Sequence, residues 1–197
     1  NTYSYAYPFK NGLAKVEDGS SSKIIDRSGK KVICCYHSLD EFNNGWIKAG
    51  NRQRYGGYYE YNYINKQGDS LLSVNHPYTD IYPFSNGYAI LLEKKNSGRS
   101  YTVIDSTGKK NWLGDFGDVF VFGNDNQLIP VANYDYKIST YRWGYVDLMG
   151  RERIPMKYNK AENFRNGYAL VETSKGIKGL IDTTGRMVIT PEQFTSI

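Results

Sequence analysis

Four aspartates recur in one setting along this chain: Asp26, Asp105, Asp147 and Asp182 each follow a β-branched residue and precede a glycine by three positions. Repeated carboxylates suit two kinds of chemistry. A pair about 5 to 10 Å apart can act as acid and base on a glycosidic bond, and a cluster can hold calcium. Calcium loops, however, place oxygen ligands at alternate positions before a glycine, and no Asp-x-Asp-x-Asp-Gly run occurs here. The motifs themselves, "IDRSG", "IDSTG", "VDLMG" and "IDTTG", end at Gly29, Gly108, Gly150 and Gly185. Asp at the first place and Gly at the fourth is turn chemistry: the carboxylate caps backbone N–H groups and the glycine accepts a positive φ. Asn65 and Gly68 repeat the pattern in "INKQG". These residues are therefore read as structural turns.

The acids outside the turns are Asp40, Glu41, Glu60, Asp80 and Glu162. Asp40, Asp80 and Glu162 stand near one repeat position, before a Phe, which again argues for structure. His37 and His76 are the only histidines, and no nucleophile turn accompanies them. Cys34 and Cys35 are adjacent, so strand alternation predicts one in the core and one outside; no metal-ligand spacing exists. The reading is of a chain without catalytic residues, metal or cofactor.

Two residue sets suit binding instead. The segment "RQRYGGYYEYNYIN", from Arg52 to Asn65, departs most from its surroundings. Alternation puts Tyr59, Tyr61 and Tyr63 on one strand face, with Arg52 and Arg54 at the start of the segment. Such rings stack on sugars or grip a peptide at small entropic cost; the competing reading is cross-strand packing. The second set follows the turn glycines: Lys30, Lys109, Arg151 and Arg186, with Asp69 in the one exception. Stacked copies would line these up as a basic rail for an acidic partner, unless they serve only to blunt strand edges. The net charge of +5 is too small to predict nucleic-acid binding without a clustered patch. No apolar run is long enough to span a membrane.

The elements that position these residues come from a repeat. Five copies start near Tyr3, Tyr36, Tyr78, Phe116 and Tyr158, at periods of 33, 42, 38 and 42 residues. In each, an aromatic residue precedes a Phe by six positions. Asn-Gly then follows in four of them, as Asn11-Gly12, Asn44-Gly45, Asn86-Gly87 and Asn166-Gly167, whereas the fourth copy carries "GNDNQ" over 123–127. Asn-Gly between apolar runs predicts a type I′ hairpin. Next come period-two pairs, such as Ala14 with Val16 and Ala89 with Leu91, which predict a strand with one buried face. The Asp turn and a third strand complete the unit, and the aromatic-to-Phe segment adds a short fourth. A meander this small cannot bury its apolar face alone, but stacked neighbours can. The predicted fold is all-β: five tandem antiparallel meanders in one array over residues 1–197, open or partly closed, with a closed propeller-like ring as the alternative. A partial sixth copy starts near Phe194.

The ordered motifs resemble the WG-repeat family, also called KWG repeats, found mainly in bacteria. Its unit reads Phe-x-x-Gly-Leu-Ala-x-Val, a hairpin, Trp-Gly-Tyr-Ile-Asp-x-x-Gly-Lys and a Val-Ile-Pro strand. The name-giving pair survives once, in "WGYVDLMGR" from Trp143 to Arg151, and Gly179 keeps half of it. The resemblance implies all-β tandem repeats and no catalytic residues. Together these readings predict a non-enzymatic binding or scaffold module for a protein or glycan ligand. A glycoside hydrolase on a propeller-like frame, or a structural spacer, is the alternative. The chain begins at Asn1 and is rich in Tyr, which favours a periplasmic or cell-surface location.

Overall fold

The computed structural model describes residues 3–40, 42, 45–52, 59–73, 76, 78–120 and 128–189. All of the regular structure is β, arranged as five antiparallel sheets in chain order. The first holds β1 (Tyr5–Ala6), β2 (Leu13–Glu17), β3 (Ser22–Asp26) and β4 (Lys31–Tyr36). The second holds β5 (Ser38–Leu39), β6 (Trp46–Arg52) and β7 (Tyr59–Asn65). β8 (Asp80–Ile81), β9 (Tyr88–Lys95), β10 (Gly98–Asp105) and β11 (Lys110–Asp115) form the third. β12 (Asp118–Val119), β13 (Ile129–Asp135), β14 (Thr140–Val146) and β15 (Glu152–Tyr158) form the fourth, and β16 (Lys160–Ala161), β17 (Tyr168–Glu172), β18 (Lys178–Asp182) and β19 (Met187–Ile189) the fifth. Every strand pairs only with its neighbour in sequence, as a meander. Each sheet begins two residues after the expected copy start, because Tyr36 and Tyr158 still end the outer strand of the sheet before.

Local chemistry explains both turns. Asn11, Asn86 and Asn166 have φ of 49°, 49° and 51°, and the glycines after them have φ of 80° to 83°. These are the successive positive φ values of a type I′ hairpin, closed by the pairs Lys10↔Leu13, Ser85↔Tyr88 and Arg165↔Tyr168. Asn44 and the "GNDNQ" segment lie outside the described residues, as does the sixth-copy start at Phe194. At the other turn Gly29, Gly68, Gly108, Gly150 and Gly185 all carry φ between 76° and 90°.

The core lies between sheets and not within them. Ile24, Ile33, Leu39, Ile47, Ala49 and Ile64 join the first sheet to the second. Tyr63, Leu72, Ile81, Phe84, Ala89, Leu91 and Ile104 join the second to the third. Ile90, Leu92, Tyr101, Val103, Leu113, Ile129, Val131 and Val146 join the third to the fourth. Tyr145, Ile154, Phe164, Ala169, Val171 and Ile181 join the fourth to the fifth. Middle sheets are covered on both faces, so Ala89 and Leu91 look back while Ile90 and Leu92 look forward. Among the described residues no buried cluster joins the fifth sheet to the first. The array is open.

Two positions depart from the expected strands. Cys34 and Cys35 are both exposed, because Cys35 has φ of 74° and the β3–β4 register shifts, which breaks the alternation. The described part of "DSLLSV", residues 69–73, forms one isolated bridge, Ile64↔Ser70, in place of the outer strand. In the second sheet Asn62 stands at the position held by Gly144 and Gly179 in the last two sheets and by Lys23 and Thr102 in the first and third. At Gly144 the outer strand bulges so close that a Cβ would lie 2.5 Å from the Ile154 oxygen and 2.7 Å from the Met156 nitrogen. Lys23 and Thr102 carry side chains there and still keep an outer strand, so the side chain alone does not exclude one. What sets Asn62 apart is its amide, which donates to the Leu72 carbonyl at 3.0 Å and accepts the Leu72 N–H at 3.0 Å, where the other sheets have ladder bonds.

Candidate binding surfaces

The repeated aspartates are occupied by their own turns. Asp26 Oδ1 accepts N–H bonds from Ser28 at 2.9 Å and Lys30 at 3.0 Å, and the Ser28 hydroxyl at 2.6 Å. Asp105 and Asp182 repeat this with Thr107 and Lys109, and with Thr184 and Arg186. Asp147 accepts from Met149 and Arg151, and Arg151 Nε adds a bond of 2.8 Å. Hydroxyl and backbone donors hold the Asp26, Asp105 and Asp182 carboxyls below the usual range. At Asp147 partial burial opposes the shift, but the Arg151 backbone and side-chain bonds outweigh it. These bonds favour the charged form in the folded chain.

A pH dependence follows. The folded pKa lies below the unfolded value of about 3.9, so the turns contribute fully above that pH. Their contribution is lost as pH falls through the folded pKa. Thermal melts from pH 6 to pH 3 should show Tm falling below about pH 4. Asp105→Asn should change Tm little at pH 6 and flatten the acid fall, since Asn65 already makes the same backbone bonds at 2.9 and 2.8 Å without charge.

Lys30, Lys109, Arg151 and Arg186 sit at the equivalent bends of four sheets, all exposed. Each donates its backbone N–H to its own turn Asp. The row is broken at the second sheet by Asp69, which accepts from Asn65 at 2.9 Å.

On β7, Tyr61 and Tyr63 point inward. Tyr63 is fully buried, with 0% exposure, and its hydroxyl donates to the Tyr82 carbonyl at 2.5 Å. Burial raises its pKa strongly. Tyr63 is thus a core residue and not a ligand platform. Alternation predicted the three tyrosines on one face, but at Tyr61 and Tyr63 that face is the one the third sheet covers. Tyr61 is half-buried against the same core, under the Lys48 ammonium, 4.2 Å from the ring centroid. Lys48 also pairs with Asp80 at 3.0 Å, tying the second sheet to the third. Arg52 and Tyr59 are the paired ends of β6 and β7; Arg54 lies outside the described residues. His76 Nε2 lies 2.6 Å from the Tyr61 carbonyl oxygen, another packing role.

The exposed rings are elsewhere. Tyr134 and Tyr141 face each other across β13 and β14. Their centroids are 5.4 Å apart at 77°, and Tyr136 meets Tyr134 at 5.0 Å and 75°. Tyr136 is 86% exposed, Tyr141 42% and Tyr134 40%. A shallow hollow of about 410 Å³ beside them is lined by Asn133, Asp135, Lys137, Arg142 and Met156. The segment "NYDYKISTY" carried the signal, three tyrosines around a turn, but its hairpin is longer than an Asn-Gly pair.

A second hollow, of about 400 Å³, lies between the first and second sheets. Its lining is mostly apolar, with Leu13, Ile24, Leu39 and Phe42, and Lys15 and Asp40 also border it. Among the described residues no group of three or more His, Cys, Asp or Glu could hold a metal ion, and no helix is long and apolar enough to cross a membrane.

Successive meander sheets that share their interiors define an all-β tandem-repeat protein. The chain belongs to the WG containing repeat family, whose pattern matches residues 2–20, 63–95, 143–175 and 179–197, together over half of its length. No curated protein matches the chain. Among solved structures it is similar to a eukaryotic initiation factor, with TM-score 0.56 and 15% identity over 94% of this chain and 54% of that one. It is also similar to Hsv2 of Kluyveromyces lactis, with TM-score 0.50 and 10% identity over 97% of this chain and 66% of that one. A looser likeness, TM-score 0.40 at 11% identity, covers 95% of this chain and 69% of the WD40 beta propeller domain of Doa1. The chain thus spans about half the length of the initiation-factor chain, 54%. At these identities the likeness is one of fold.

Proposed function

We propose that this chain is a non-enzymatic binding module that holds a protein or glycan ligand on exposed aromatic rings. The observation that carries the reading is the Tyr134, Tyr136 and Tyr141 cluster: three rings left open on one hairpin, with Tyr134 packed against both of the others. Rigid rings give contact area at small entropic cost, stacking on sugars or covering apolar side chains. Lys137 and Arg142 beside them supply hydrogen-bond donors. The repeated acids add no reason to assign catalysis, since turn N–H groups occupy them. The basic bends supply a second, weaker attraction for acidic ligands, and that part of the binding should fade as salt rises.

A combined glycan and peptide array tests this. The Tyr134→Ala/Tyr136→Ala variant should lose binding by roughly thirtyfold, the effect of truncating an aromatic hot spot. Undiminished binding would remove the cluster from the account. Turnover of any glycoside on the array would show an enzyme.

A further inference from the structure

The repeat allows its interfaces to be compared position by position. Two residues before the turn Asn or Asp, the second sheet carries Tyr63 and the fourth carries Tyr145. Both reach into the following sheet in the same way. The Tyr63 ring meets Phe84 edge-on at 4.7 Å and 65°, and its hydroxyl donates to the Tyr82 carbonyl at 2.5 Å. The Tyr145 ring meets Phe164 at 4.9 Å and 61°, and its hydroxyl donates to the Glu162 carbonyl at 2.7 Å.

The first sheet has Ile24 at this position. The second sheet nevertheless offers the same receptor: Phe42 stands at the place of Phe84 and Phe164, and Asp40 at the place of Tyr82 and Glu162. Leu39 takes the place of Ile81 and Ala161. Beside these residues lies the cavity of about 400 Å³, bordered by Leu13, Ile24, Leu39, Asp40 and Phe42. At the third interface Val103 holds the position, and there Tyr101 joins the core with Tyr82 and Phe116 packed alongside.

We propose that the cavity between the first two sheets is a binding site for a small phenol, a free molecule of one aromatic ring bearing a hydroxyl. The ring lies where Tyr63 and Tyr145 put theirs in the other interfaces, edge-on to Phe42. Its hydroxyl donates to the Asp40 carbonyl. A mostly apolar socket with a few polar groups is the usual form of a small-molecule site, here with Lys10, Asn11, Lys15 and Asp40 at its border, and about 400 Å³ is near the small end of the range. The site lies between the first two sheets, whereas the Tyr134 hairpin belongs to the fourth, and it does not depend on that hairpin.

p-Cresol, the tyrosine side chain as a free molecule, is the probe, titrated into the full chain and followed by NMR at the Leu13, Ile24 and Leu39 methyls. Saturable shifts are expected at all three. Toluene lacks the hydroxyl and should bind roughly fivefold more weakly, the effect of one neutral hydrogen bond. Ile24→Tyr supplies the ring from the chain itself and should abolish p-cresol binding. Should that variant fail to fold, Leu13→Trp narrows the same cavity with the residue that Trp46 shows the position accepts, and should weaken binding. Absence of saturable shifts, equal binding of toluene, or undiminished binding to the folded variant would overturn the proposal.

Discussion

Replacing Tyr145 by Ala should cost roughly 3–5 kcal/mol in urea unfolding followed by Trp fluorescence, the range for removing a buried ring. Tyr145 is among the largest fully buried side chains, and it spans from β14 to both Phe164 and the Glu162 carbonyl. Removing the ring opens the interface between the fourth and fifth sheets, and the rigid backbones on either side limit how far the gap can close. Tyr145→Phe keeps the ring and loses one hydrogen bond, so it should cost about 1 kcal/mol. Tyr136→Ala, on the open hairpin, should stay within about 0.5 kcal/mol of the parent. Equal losses at Tyr145 and Tyr136 would mean that the sheets do not share an interior.

A second large effect is expected at one turn glycine and not at its counterpart. Gly29 and Gly150 hold the same place in the repeat, with φ of 80° and 76°. Alanine at either must adopt a left-handed backbone, which costs about 1–2 kcal/mol. At Gly29 an added Cβ meets nothing within 4 Å, so that strain is the whole cost. At Gly150 the Cβ would lie 3.0 Å from the Leu113 carbonyl carbon and 3.2 Å from the Trp112 oxygen, and closer still to the Leu113 oxygen. These atoms are β11 backbone and cannot rotate away. Gly150→Ala must push the third and fourth sheets apart, for a total of roughly 3–5 kcal/mol once overpacking is added to strain. Urea midpoints of the two variants compare the costs directly. A Gly29→Ala loss as large as that of Gly150→Ala would show that backbone strain alone governs the turn.

The same pair shows where sequence reading stops. Gly29 and Gly150 are indistinguishable as motif positions, because the motif records a turn and a turn is a matter of adjacent residues. Whether a neighbouring sheet lies against it depends on residues some forty positions away, about one repeat. The tyrosines teach the same lesson. Period two correctly put Tyr61 and Tyr63 on one face, but in a sheet covered on both sides alternation does not separate inside from outside. Tyr63 went to the core and Tyr136 to solvent, though each sits in an equally Tyr-rich segment.

What the sequence determined by itself was local and repeated: Asn-Gly hairpins, Asp-capped bends, the paired apolar residues of each first strand, and the need for copies to stack. All ten residues of those pairs, from Ala14 and Val16 to Ala169 and Val171, are buried. Short-range hydrogen bonds and φ preferences act within a few residues, so they survive in any context and can be read directly. The tertiary structure decided which rings are buried, that the Asn62 amide bonds Leu72 where other sheets carry an outer strand, and that a cavity remains beside Ile24. Those outcomes depend on volume and contact between residues far apart in the chain, and close packing settles them only once the neighbouring sheet is in place.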